Sequence, residues 1–215
     1  MYGAPATGSL WPRLVAQAAG IETEINNING WHMLRQFPAV LLMYGIGIGC
    51  LASDRPDFLA RLFSHRGILE RKTPRPIATQ LFADAPFINE LANRLPGFER
   101  HKAPASERIH GWLRPLLTAD LIASEAEFDY LFDRFEYLLA LVRYDMTRGD
   151  SEYGFPTRGR FTWRTLDGER VNGDLRLEIK EMGERWPLIR EGLFRGSSER
   201  LDAAVVGVDQ TIRTW

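Results

Sequence analysis

Asp129, Asp133 and Glu136 stand at i, i+4 and i+7, a spacing that puts three carboxyl groups on one side of a helix. Carboxylates so arranged could hold a divalent cation or act as an acid–base pair, the chemistry of a metal-dependent hydrolase. Any solvent-facing helix surface shows the same row, with Arg134 and Arg143 near enough to pair with it, and that solvated face is the expected reading. Glu136 is the odd member, because it lies between Phe135 and Tyr137; if buried, it needs an arginine partner. A second group, Arg158, Arg160, Trp163 and Arg164, is interleaved with Phe155 and Phe161. A basic–aromatic patch of this kind can stack bases and grip the phosphates of a single strand, which makes nucleic acid a possible partner. The competing reading packs the aromatic rings on the protein and leaves the arginines wet, and it is the one preferred.

Other chemistries find little footing. The histidines, His32, His65, His101 and His110, include no i, i+4 pair, and no His-Glu-x-x-His occurs, so no metal and no cofactor are expected. Gly45-x-Gly47-x-Gly49 misses the dinucleotide fingerprint, whose third glycine would fall where Cys50 stands, and no Lys-Ser or Lys-Thr completes a phosphate loop. There is no Gly-x-Ser-x-Gly, and Cys50 sits in an apolar run, where a thiol behaves as a small hydrophobe. No catalytic residue can be named.

The elements that must carry these residues are helical. Ser124-x-x-Glu127 is a capping box, and the apolar residues Phe128, Leu131, Phe132, Phe135, Leu138, Leu139, Val142 and Met146 follow it at the helical period. Tyr130, Tyr137, Leu141 and Tyr144 add a second stripe, so this helix is expected to be the spine of the domain. Phe37 to Ala52 carries no charge, yet it is shorter than the roughly 20 apolar residues of a membrane span. It reads as a buried core helix that neighbours approach along Gly45 and Gly49, with Phe128, Phe132, Phe135 and Leu139 packing elsewhere in the same core. Further helices are expected from Ser9, from Ile21 to Leu34, after a cap at Asp54, from 77 to 82, from 87 to 95, from a cap at Ser106 to Leu117, from 175 to 183 and from Ser198. Asp167-Gly168 can turn a hairpin between Arg160–Thr165 and Glu169–Val171.

Five stretches carry a resemblance. They are Gln36-Phe-Pro-Ala-Val-Leu-Leu-Met-Tyr-Gly-Ile-Gly, Leu95-Pro-Gly-Phe-Glu-Arg-His, Phe132-Asp-Arg-Phe-Glu-Tyr-Leu-Leu-Ala-Leu-Val, Gly159-Arg-Phe-Thr-Trp-Arg and Trp186-Pro-Leu-Ile-Arg-Glu-Gly-Leu-Phe. Together, over most of residues 35 to 205, the chain resembles the C-terminal helical region of large bacterial multidomain proteins. The N-terminal parts of those proteins are predicted nucleic-acid-binding or ATP-binding domains, or effector domains of anti-phage defence. The shared motifs are packing motifs, so the resemblance implies a helical module and carries over no active-site residue.

Composition agrees with a globular protein. The 215 residues are 45% hydrophobic and 26% charged, and the formal net charge of −1 excludes a nucleic-acid binder that works by bulk positive charge. Only three of the 27 basic residues are lysines, and the single cysteine excludes a disulfide framework. Met1 to Gly8 has no basic residue ahead of an apolar stretch, so a cytoplasmic location without membrane attachment is expected. The expected architecture is mainly α: an irregular multi-helix bundle over 9–215 with one small β-hairpin near residues 159–172, preceded by a flexible tail at 1–8. The expected function is a non-catalytic sensor, scaffold or oligomerisation module with a protein partner or a second copy of itself. A single-stranded nucleic-acid-binding domain and a metal-dependent hydrolase are the alternatives.

Overall fold

Where the helical period is strong, helices form. The computed structural model describes residues 10–19, 29–67, 75–79, 81, 104–147, 159–166 and 171–213. In chain order the helices are α1 (Leu10–Ala19), α2 (Asn29–Ala52), α3 (Pro56–Ser64), α4 (Pro104–Asp120), α5 (Glu125–Thr147), α6 (Arg160–Leu166), α7 (Val171–Met182), α8 (Pro187–Arg190) and α9 (Ser198–Arg213). Short 3₁₀ turns follow at Ile77–Thr79, Gly183–Arg185 and Leu193–Gly196. The expected tail at 1–8, the start of a helix at Ile21, the helix at 87–95, Phe155, Arg158 and the 167–170 turn lie outside the described residues.

The spine expectation holds for α5. Residues 135–143 are buried on every side, and α2, α4, α6, α7 and α9 all pack against this helix. One half of its capping box forms, with the Glu127 N–H donating to Ser124 Oγ at 3.1 Å, while the Glu127 carboxylate accepts instead from the Ala123 N–H, one residue before the cap, at 3.1 Å. Phe128, Phe132, Phe135 and Leu139 are fully buried, and Phe135 packs against both Tyr44 (ring centroids 4.9 Å apart) and Phe63 (5.7 Å).

Several expectations are corrected. The uncharged block joins the preceding residues in one long helix that runs through Pro38. Its close approach to a neighbour is at Gly47, where a Cβ would lie 2.0 Å from the Phe135 ring. Gly45 and Gly49 instead sit half-exposed, in ordinary contact with Leu113 and Leu121. Asp54 does not cap α3; it takes a left-handed conformation (φ 49°) in the turn after α2, and Arg55 stands at the cap position. Ser106 does not cap α4 but lies in its first turn, because the helix already begins at Pro104. The first expected strand of the hairpin near 159–172, Arg160–Thr165, is instead part of the helix α6, and Val171 opens α7, while 167–170 lie outside the described residues. Alternating Phe161 and Trp163 suggested strand, but contacts with α4 and α5 hold the segment as helix. The only strand pairing among the described residues is two residues long and antiparallel, Arg66 with Pro76 and Gly67 with Arg75.

Among the described residues, no helix is long and apolar enough to cross a membrane.

Candidate functional site

Helix α6 brings the two groups singled out in the sequence onto each other. Arg160 and Arg164, one helical turn apart, face the carboxyl row of α5. Arg160 Nη2 lies 3.3 Å from Asp129 Oδ2 and Nη1 lies 3.8 Å from Asp133 Oδ1, while Nε reaches Glu107 Oε2 of α4 at 3.5 Å. Arg164 adds Nη1 to Asp129 Oδ2 at 3.3 Å and Nε to Asp133 Oδ2 at 3.2 Å. The row is therefore no solvated face: Asp133 is 1% exposed and Glu136 is 0%. Nor do the arginines stay wet, as Arg160 is 8% exposed and Arg164 is largely covered. Trp163 is half-buried. Arg134, one expected partner of the row, instead pairs with Glu178 at 2.6 Å on another side of α5.

Glu136 was expected to need an arginine if buried, and it is met by hydroxyl groups. Ser106 Oγ donates to Oε1 at 2.6 Å and Tyr44 Oη donates to the same oxygen at 3.0 Å. Ser106 also accepts the Arg160 N–H at 2.9 Å, which ties α4, α5 and the first turn of α6 together. Gly159 is required there, because a Cβ would lie 2.3 Å from Glu136 Oε2. Beside them, His110 Nε2 lies 2.6 Å from Asp129 Oδ1, and its ring packs on Phe128 and Phe132.

Burial controls the protons. It pushes Glu136 up to about 8, helped by the neighbouring Asp133 charge and only partly opposed by the two hydroxyl groups and the Phe161 backbone N–H at the start of α6. Burial likewise lifts Asp133 to about 7 against the pull of Arg160 and Arg164. Burial also raises Asp129, but hydrogen bonds from Arg160 and His110 outweigh it and hold that carboxylate below its usual range. Burial and the Arg160 charge lower His110 to about 4, so at neutral pH the ring is uncharged and its Nε2–H donates to Asp129. The Cys50 thiol, raised to about 11 by burial, stays protonated.

These shifts set a pH dependence. With folded values near 7 and 8 and unfolded values near 4, Asp133 and Glu136 make the native state bind more protons between those limits. Their contribution is greatest at the acid end and is lost as the pH climbs through 7 to 8. His110 works in the opposite sense below about pH 6.5, where the unfolded chain would take up its proton. The melting temperature is expected to fall from about pH 6.5 to about pH 8, with a shallower fall in Glu136→Gln. Scanning calorimetry across that range checks it, and a rising melting temperature would contradict the assignment.

Chemically, the constellation is a set of charges turned on one another. The guanidinium groups lie where a cation would have to sit among the carboxylates. Among the described residues, no group of three or more His, Cys, Asp or Glu side chains could hold a metal ion. Arg160 and Arg164 each donate one Nη to Asp129 Oδ2 at 3.3 Å and are largely buried, so they turn to α5 rather than presenting themselves to phosphates. Arg158, His101 and the side chain of His32 lie outside the described residues, and His65 is half-buried elsewhere. The sequence reading missed Tyr44, Glu107 and the roles of Ser106 and His110. A signal existed, since Ser106, Glu107 and His110 share a helix face one turn apart, and Tyr44 carries the one hydroxyl of an otherwise apolar block.

A cleft of about 250 Å³ opens elsewhere, between the α2–α3 turn, α5 and Trp186. Its polar lining is also paired internally: Arg134 donates to Tyr130 Oη at 3.1 Å and to Glu178, and Trp186 Nε1 donates to Glu178 at 2.8 Å. Comparison of the chain with protein-family models, with curated proteins and with solved structures finds no match.

Proposed function

We propose that this domain is a non-catalytic helical scaffold that works by docking a protein surface, a second copy of itself included, on the face shared by α2 and α4. The observation that carries the reading is the outward side of α2. A helix at a protein surface ordinarily turns charged or polar residues to water. Here the solvent side of the uncharged block is Pro38, Leu42, Gly45 and Gly49, and Leu42 is 43% exposed. Alongside it, α4 exposes Trp112 (44%) and Leu116 (69%), and Leu121 (49%) follows directly after that helix. The two helices are in contact, with Phe37 and Trp112 edge to face at 5.5 Å, so these residues form one apolar surface. Exposed apolar patches of this kind mark interaction surfaces, and single scattered residues do not. The charged side chains of the α4–α5–α6 cluster, by contrast, are consumed in holding the bundle together.

The test combines size-exclusion chromatography with light scattering and recovery of bound proteins from the host lysate. Wild-type protein is expected to self-associate above 24.6 kDa or to retain a specific partner. The Leu42→Glu/Leu116→Glu variant, altered only at exposed positions, is expected to lose that association while keeping its helical content. A strictly monomeric wild type that retains nothing, or association indifferent to the double substitution, would overturn the reading.

A further inference from the structure

We propose that the cleft between the α2–α3 turn, α5, α7 and α8 binds a small neutral molecule, a ring-sized apolar body with one hydrogen-bond acceptor that the Tyr130 hydroxyl group meets. The inference does not rest on the docking face and uses none of its residues. The cleft holds about 250 Å³. An apolar space of about 150 Å³ takes up benzene, so this one has room for a substituted ring. Its apolar wall is Leu51 at the end of α2, Leu131 and Leu138 of α5, and Pro187 and Leu188 of α8. Leu138, Leu188 and Trp186 are buried in the core, so the wall stands before any ligand arrives and little ordering is needed on binding.

The pairing of the charged lining is what selects a neutral ligand. Arg55 is held in a fork by Asp57, with Nε to Oδ1 and Nη2 to Oδ2 both at 3.0 Å. Arg134 Nη2 donates to Glu178 Oε2 at 2.6 Å, and Trp186 Nε1 donates to the other oxygen, Oε1, at 2.8 Å. Asp54, the remaining charge, is exposed at the rim. An ion entering the cleft would have to break one of these pairs or stay unpaired beside leucine, and either is costly. One donor is left over. Tyr130 Oη accepts from Arg134 Nη1 at 3.1 Å, but among the described residues no acceptor takes its own hydrogen. A guanidinium group donating onto that oxygen polarises the O–H and makes it the better donor. A carbonyl oxygen or ring nitrogen on an otherwise apolar molecule matches both the wall and this hydrogen.

Acetophenone, benzoate and benzylamine, similar in shape but neutral, anionic and cationic at neutral pH, test the site by ¹H–¹⁵N NMR titration of the whole chain. Acetophenone is expected to bind with a dissociation constant on the order of 1 mM, shifting the Trp186 indole N–H and the amides around Tyr130, Arg134 and Leu188. Benzoate and benzylamine are expected to bind at least about tenfold more weakly. Tyr130→Phe, which deletes the donor and leaves the Arg134–Glu178 pair, is expected to weaken acetophenone about three- to tenfold. Leu51→Trp, which fills the cleft from a half-buried position, is expected to abolish the shifts. The proposal would be overturned by shifts that do not saturate, that centre on the α2–α4 face instead, that benzoate or benzylamine reproduces at equal concentration, or that Tyr130→Phe leaves unchanged. Should a variant fail to fold, the three probes on the wild type decide alone, through the place of the shifts and the order of the affinities.

Discussion

Arg160→Met is expected to lower the unfolding free energy by about 3–5 kcal/mol at about pH 8.5, the range for removing one partner of a buried ion pair. The loss is large because this guanidinium answers three carboxylates at once, Glu107, Asp129 and Asp133, and is itself 8% exposed. Without it, those carboxylates keep their charge and lose their compensation. The pH dependence follows in sign: as the pH falls through about 7, Asp133 can take up a proton, so the deficit shrinks toward about pH 5.5. Arg160→Met/Asp133→Asn removes charge from both sides and is expected to recover part of the loss, since a buried pair replaced as a unit is often near neutral. Urea denaturation followed by far-UV circular dichroism at both pH values measures all of this. A loss under about 1 kcal/mol at the higher pH would mean that the cluster is hydrated rather than buried.

Gly47→Ala is expected to destabilise the fold by about 1–3 kcal/mol, although alanine is the better helix former by about 1 kcal/mol. The new Cβ would fall 2.0, 2.5 and 2.8 Å from three atoms of the Phe135 ring. That ring cannot move aside cheaply, because it stands in the buried 135–143 stretch of α5 between Tyr44 and Phe63. Gly45→Ala and Gly49→Ala, whose nearest contacts would be an ordinary 3.9 Å and 3.5 Å, are expected to raise stability by up to about 1 kcal/mol. Three chemically identical changes, two residues apart, should thus differ in sign. Midpoints in urea for the three variants check the order, and a stabilised Gly47→Ala would show that α2 and α5 are not packed ring against backbone.

The helices were legible because their signals are local. The Ser124–Glu127 cap and the apolar period after it need only neighbours within a turn or two, and they yield α5 with its cap and its buried face. The same locality misled at Phe161 and Trp163. Their alternation fits a strand by itself, yet Ser106, 54 positions before Arg160, accepts that residue's N–H and helps to fix a helix there. The partner of the acidic row was likewise sought on the same helix, in Arg134 and Arg143, although Arg160 and Arg164 supply it from beyond the end of α5.

Sequence alone settled the mainly α architecture, the spine helix and the identity of the charged residues worth watching. Tertiary structure decided which side of each helix is dry. Periodicity shows that carboxylates share a face, but whether that face meets water or another helix depends on what the chain lays over it, far away in sequence. Desolvation then decides the chemistry, since the same Asp133 and Glu136 would be ordinary acids in water, and burial inside the bundle raises both.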